Sequence, residues 1–146
     1  MVKTKSQTGK SARTKGHSFE RWVAKELRVY FPEAKRGLQY QEAENCPDIT
    51  GTPYHIETKR YAKEVSIKRI DKWFMKALEE QKLYTPINPN NKIPVVVIFK
   101  ADHKPIDVYM SMTKESGRYF YKMSWKSFTN ICEHQKLTKE DYENVS

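Results

Sequence analysis

The sequence predicts an α/β protein with a mixed central sheet of about five strands flanked by helices, and three patterns predict it. From Ser18 to Phe31, the residues Val23, Ala24, Leu27 and Phe31 recur at spacings of three and four, the period of a helix with one buried face. The run PVVVIFK, Pro94 to Lys100, is almost wholly apolar and rich in β-branched residues, as a strand covered on both faces would be. Between Pro47 and Lys59, two short strand-like runs bracket Gly51-Thr52-Pro53, the composition of a tight turn between paired strands.

The remaining elements follow in order. Pro32 ends the first helix, and Arg36 to Gln41 reads as a strand before a polar loop, Glu42 to Cys46. Pro47 to Thr50 and Tyr54 to Lys59 form the predicted hairpin. Ser66 to Tyr84 is a second amphipathic helix, with Ile67, Ile70, Phe74, Ala77, Leu78, Gln81 and Tyr84 on one face. The loop Pro86 to Asn91 leads into the apolar strand, which pairs through Ala101 to Lys104 with Ile106 to Met112. Trp125, Phe128, Ile131 and Cys132 mark a short last helix, and the acidic stretch Glu140 to Ser146 reads as a frayed tail. Helix, three strands, helix, two strands, helix is the order of a mixed sheet with helices on its faces.

A length of 146 residues suits one hydrophobic core. The expected organisation is a flexible basic arm over residues 1–15, a folded domain over 16–138 and the acidic tail over 139–146. The arm carries Lys3, Lys5, Lys10, Arg13 and Lys15 before the first acidic residue and has no apolar periodicity. A net charge of +9 points to a polyanionic partner, with nucleic acid the first candidate. Cys46 and Cys132 stand far apart, without the paired spacing of a zinc site, which fits a reducing compartment. The N-terminal stretch has no signal-peptide core and no run is apolar enough to span a bilayer, so the chain is expected in the cytoplasm, away from membranes.

The chemistry lies in the hairpin. Hydrolysis of a phosphodiester at neutral pH calls for a cation that activates water and neutralises charge, and hard Mg²⁺ is held by a few carboxylates plus water. Asp48 and Glu57 occupy the two arms of the hairpin, within reach of a shared cation across the ladder. Side chains alternate along a strand, so His55, Glu57 and Lys59 share a face while Ile56 and Thr58 take the other. Lysine there can orient the attacking water and stabilise charge at phosphorus. Glu20, one turn ahead of Val23 and Ala24 in an apolar stripe, is placed to supply another carboxylate. An acid-x-lysine tripeptide also occurs at Glu33-Lys35, Glu80-Lys82 and Asp102-Lys104, but only Glu57-Lys59 lies in a strand preceded by a Pro-Asp strand.

Taken together, Lys15-Gly16-His17-Ser18-Phe19-Glu20-Arg21, Arg36-Gly37, Pro47-Asp48-Ile49 and Ile56-Glu57-Thr58-Lys59 resemble the PD-(D/E)xK nuclease superfamily, and within it the archaeal-type and phage Holliday junction resolvases. The likeness covers about Lys15 to Arg60. It implies a restriction-endonuclease-like fold, catalytic Glu20, Asp48, Glu57 and Lys59, and a Mg²⁺ site, open to Mn²⁺, built from Asp48, Glu57, Thr58 and Glu20. It further implies a homodimer, prokaryotic or phage-encoded, that cuts branched DNA such as a four-way junction and leaves 5′-phosphate ends. DNA contacts are expected from Lys3, Lys5, Lys10, Arg13 and Lys15, from His17 beside the helix start, and from Arg36 and Arg60. Gln81 and Tyr84 resemble the glutamine and tyrosine that exonuclease-type members carry on the helix after the lysine, which makes Gln81 an expected DNA contact, although a polar residue at the edge of a core helix is the commoner explanation. His55 either lies near the metal or a phosphate or is a hydrogen-bonded strand histidine. Trp73, Phe74, Tyr119, Phe120 and Tyr121 serve either a two-fold interface or the core. Cleavage of restriction, repair or end-processing type, and non-catalytic DNA binding, are the alternative functions.

Overall fold

The computed structural model describes residues 5–37, 46–83, 94–111 and 120–145, with side chains over 12–37, 46–83, 94–111 and 120–136. The elements are α1 (Lys5–Leu27), β1 (Lys35–Arg36), β2 (Ile49–Thr50), β3 (His55–Tyr61), α2 (Ile67–Leu83), β4 (Val95–Ala101), β5 (Asp107–Ser111), β6 (Phe120–Ser124) and α3 (Trp125–Val145). They build an α/β fold around one mixed sheet whose strands lie in chain order, β1-β2-β3-β4-β5-β6. Among the described strands only β3 and β4 run parallel, with α2 in the crossover between them; the other pairs are antiparallel.

The layers explain the sequence patterns. On one face, Ile56, Val96, Ile98, Val108 and Met110 pack against Phe19, Val23, Ala24 and Leu27 of α1 and against Phe128 and Cys132 of α3. On the other, Val95, Val97, Phe99 and Tyr109 pack against Ile70, Phe74 and Ala77 of α2. β4 is therefore covered on both sides, and a run of apolar residues without alternation is what such a strand requires. In β3 the alternation survives: Ile56 enters the α1/α3 core, and His55, Glu57 and Lys59 point to the α2 side. The polar row that the sequence placed on one face thus lies beneath a helix.

Several boundaries differ from the sequence reading. α1 begins at Lys5 rather than Ser18, so the basic residues Lys5, Lys10, Arg13 and Lys15 lie on a helix, while Lys3 is outside the described residues. Lys, Gln, Ala and Arg sustain a helix already nucleated on its buried half, and a polar extension leaves no apolar period to detect. The first strand is only Lys35–Arg36, and its expected continuation to Gln41 lies outside the described residues. The sheet has six strands among the described residues, against the expected five or so. β6 was not anticipated because it pairs only with β5, and its sequence FYKMS mixes polar and aromatic residues on both faces.

Ser66 caps α2, its Oγ accepting the Arg69 amide at 3.3 Å. Ile67, assigned to the buried face, is instead 62% exposed at the first residue of α2. α3 is longer than expected and reaches Val145. Of the aromatic residues proposed for an interface, Phe74 is fully buried and stacks on Phe120 at 4.7 Å, and Trp73 stacks on Tyr61 at 5.4 Å. These three rings serve packing within the chain. Tyr121 is exposed, and Tyr84 and Tyr119 lie outside the described residues. No described helix is long and apolar enough to cross a membrane.

Candidate active site

Two glycines set the backbone on which the acids sit. Gly51 reverses the chain after β2 with φ of 79°, and a Cβ on it would lie 2.0 Å from the Glu33 carbonyl oxygen. Thr52 Oγ accepts the Tyr54 amide at 3.2 Å and closes the turn. Gly37 follows β1, and its amide donates to the Asp48 carbonyl at 2.8 Å, while the Asp48 amide donates to the Ile56 carbonyl at 3.0 Å. Asp48 is thereby clamped between the chain after β1 and β3, just ahead of the formal start of β2. A Cβ at Gly37 would lie 2.0 Å from the Pro47 carbonyl oxygen and 2.7 Å from Cys46 Sγ. Gly37→Ala is therefore expected to push the Pro-Asp segment off β1 and to destabilise the fold by roughly 1–3 kcal/mol, the usual cost of overpacking. Thermal unfolding measures the loss, and a variant that melts with the wild type would contradict it.

On this frame the side chains converge. Asp48 Oδ2 accepts the Thr58 amide at 2.9 Å and the Thr58 hydroxyl at 3.3 Å, which fixes its rotamer. The Thr58 side chain is committed to Asp48, so it acts on the site through that carboxylate. The Glu57 carboxyl lies close enough to Asp48 and Glu80 to feel both carboxyls, and His55 Nε2 lies 3.2 Å from Glu57 Oε1. Burial holds the Glu57 carboxyl well above its ordinary range, and the negative charges of Asp48 and Glu80 raise it further. The His55 imidazole is fully buried, and burial pushes it down to about 4, so the ring is neutral at pH 7. Lys59 Nζ sits 5.4 Å from the centre of the Trp73 ring, a cation over an aromatic face. Trp73 is wedged between Tyr61 and Phe99, so α2 determines where the Lys59 ammonium rests.

Glu20 comes close enough for the Asp48 charge, after burial, to raise its carboxyl above the ordinary range. It does not stand free: Arg36 Nε and Nη2 both reach Glu20 Oε2, at 3.0 and 2.9 Å, and the His17 charge also acts on it. Arg36 and Glu20 satisfy one another, which accounts for a carboxylate in an otherwise apolar stripe. Lys15 and Arg60, both expected DNA contacts, converge on Asp102 at 3.2 and 2.5 Å. Arg60 also donates to the Tyr61 and Lys100 carbonyls. Arg13 is exposed on α1, the side chains of Lys5 and Lys10 are outside those described, and Gln81 is buried in α2.

No family model matches the sequence, and no curated protein matches it. Among solved structures the chain is similar to Hjc, a Holliday junction resolvase from the archaeal hyperthermophile Archaeoglobus fulgidus. The two share 18% identity and a TM-score of 0.41, over 75% of this chain and 86% of that one.

Glu80 is the residue that sequence reasoning missed. It projects from α2, and its carboxylate, Glu57 and His55 Nε2 lie within 4.8 Å of one another. Its signal was helical spacing: Trp73, Ala77 and Glu80 are four and three residues apart, so the face that covers Lys59 also delivers Glu80. Without knowing that α2 lies across β3, the Glu80-Lys82 pair reads as solvated helix surface.

The donor chemistry fits a hard divalent cation. Asp48, Glu57 and Glu80 are oxygen donors, Glu57 interacting with each of the other two, and Glu57 is buried where its charge is least tolerated. Lys76 reaches Glu80 at 3.9 Å from the solvent side, and the buried Glu57 between Asp48 and Glu80 is relieved by a shared proton or a cation. Asp48, Glu57 and Glu80 would hold it, with Glu20 beside them and Lys59 two residues beyond Glu57 on the same strand face.

Proposed function

We propose that this chain is a Mg²⁺-dependent endodeoxyribonuclease of the PD-(D/E)xK type that cuts branched DNA as a homodimer, with Mn²⁺ able to substitute. The observation that carries the reading is the interaction of Asp48, just ahead of β2, with Glu57 on β3, in whose strand row Lys59 also lies. Mg²⁺ held by these carboxylates would supply charge neutralisation at the scissile phosphate and acidify the attacking water. The chain's own residues do the rest. Thr58 orients Asp48, and Trp73 holds the Lys59 ammonium on the carboxylate side of β3, where it can donate to the nucleophile or to the phosphoryl oxygens. Glu20 adds negative potential at Asp48 and is itself balanced by Arg36.

The net charge of +9 supports a phosphate-rich substrate. Helix α1, with Lys5, Lys10, Arg13, Lys15 and His17 ahead of Glu20 and Arg21 just after it, is assigned to backbone contact, along with Lys3 before the helix. The choice of branched DNA rests on the motif resemblance. A cytoplasmic place in a prokaryotic or phage-infected cell belongs to the same reading.

The test is the pure protein with four-way junction, fork, nicked, linear duplex and single-stranded DNA, in Mg²⁺ and in chelator. Preferential cleavage of the junction, abolished by chelator, is the expected result. With a cruciform plasmid, linear product formed directly indicates paired incisions by a two-fold dimer; nicked circles alone overturn the resolvase assignment and leave the nuclease chemistry standing. Binding without cleavage in any metal overturns both.

A further inference from the structure

Nδ1 of His55 is a fully buried nitrogen with no hydrogen-bond partner among the described residues, and its other ring nitrogen faces a carboxylate that the nuclease reading assigns to the metal. We propose that His55 is a positioning residue: it donates Nε2–H to Glu57 and stays out of the coordination sphere, so that the cation meets oxygen donors only. This rests on the nuclease reading above.

The choice of tautomer follows from the two nitrogens. With the proton on Nε2, the ring donates across 3.2 Å to Glu57 Oε1, and the only orphan is the Nδ1 lone pair. With the proton on Nδ1, a buried N–H has no acceptor, and the Nε2 lone pair confronts the Glu57 oxygen unless that oxygen carries a proton. Orphaned buried N–H groups are rare because the full desolvation cost of the donor is left uncompensated. A doubly protonated ring would have the same orphan and a buried charge besides.

The same reasoning bears on coordination. His55, Glu57 and Glu80 have the mutual spacing of a three-ligand site, within 4.8 Å. A metal on Nε2, however, forces the proton onto Nδ1, and ligating histidines almost always hand that second N–H to an acceptor. His55 has none. It sits at the start of β3, its ring fully buried with Nε2 toward Glu57 at 3.2 Å and Nδ1 turned away from that carboxylate. The imidazole is therefore the back wall that fixes Glu57 between Asp48 and Glu80. An all-oxygen set selects Mg²⁺ or Mn²⁺ over Zn²⁺, which favours nitrogen and sulfur.

The experiment is long-range ¹H–¹⁵N correlation of the imidazoles in the full-length, ¹⁵N-labelled protein, without metal and with saturating Mg²⁺, joined to calorimetric Mg²⁺ titration of His55→Gln and His55→Leu. The Nε2–H tautomer is expected in both spectra. His55→Leu is expected to bind Mg²⁺ about 10–100-fold more weakly, the usual effect of removing a group that orients a ligand, and His55→Gln to recover part of the loss through its amide donor. Proton transfer to Nδ1 on adding Mg²⁺ would make His55 a ligand and overturn the proposal, as would wild-type affinity in His55→Leu. Should His55→Leu fail to fold, the wild-type spectra decide alone. A wild-type protein that binds no Mg²⁺ overturns the nuclease reading and this role with it, whereas the Nδ1–H tautomer in the presence of Mg²⁺ overturns only the role.

Discussion

Asp48→Asn and Glu57→Gln are each expected to lower Mg²⁺-dependent DNA cleavage by at least about 100-fold while leaving DNA binding within a few-fold of wild type. Both changes keep volume and hydrogen-bonding capacity and remove only charge. Asp48 accepts the Thr58 amide and hydroxyl, bonds that an asparagine oxygen can keep. Glu57 contacts Asp48, Glu80 and His55, and a glutamine fits the same space. The loss therefore falls on what a carboxylate does and a carboxamide does not, namely to hold a divalent cation against charge developing in the transition state. DNA retention, read by gel shift in Ca²⁺ or without metal, depends on lysines and arginines elsewhere. Wild-type cleavage by Glu57→Gln in Mg²⁺ would sink the site assignment, and a parallel loss of binding would point to misfolding instead.

The same Glu57→Gln change is expected to make the metal-free protein more stable, by at least about 1 kcal/mol near neutral pH, because it relieves a buried charge beside two like charges. The pH dependence has a definite sign. Glu57 has a raised carboxyl in the folded state, so its contribution is fully present below its ordinary value of 4.5 and is lost as pH rises through the folded value. His55 works the other way: its folded value of about 4 lies below 6.5, so its contribution is full above 6.5 and is lost as pH falls toward 4. Subtracting the variant from the wild type isolates Glu57. The stabilisation by Glu57→Gln should grow from pH 4.5 upward and level off. Saturating Mg²⁺ should reverse the order, because only the native wild type gains binding energy from the cation. A difference that stays flat with pH, together with no rise in Tm on adding Mg²⁺, would refute the electrostatic account of the pocket.

What could be read in advance depended on period and on locality. β4 was legible because burial on both faces leaves an unbroken apolar run, and the β2–β3 hairpin because Gly51 and Pro53 mark a turn between strand-like residues. Asp48, Glu57 and Lys59 could be placed together because strand alternation and a short turn fix relative positions without knowledge of the rest of the chain. The presence of Glu80 could not be foreseen, since it depends on how a helix lies over a strand, which no local pattern encodes. The ion pairs of Arg36 with Glu20 and of Arg60 with Asp102 were hidden for the same reason. Arginines that look available for phosphate in the sequence prove to be committed to carboxylates contributed by distant segments.

The parallel pairing of β3 on β4 has a consequence for how the molecule comes to exist. Hairpins such as β2–β3 and β4–β5 close over short loops and lose little chain entropy, whereas joining His55 to Val95 and Lys59 to Phe99 requires α2 and its flanking segments to be gathered first. That is the step at which Glu80 and Trp73 are laid across Glu57 and Lys59. Asp48 and Glu57 meet early through a local turn, but the pocket is finished only when the slowest contact in the sheet has formed. A partly folded chain would thus carry the hairpin acids without the wall opposite them.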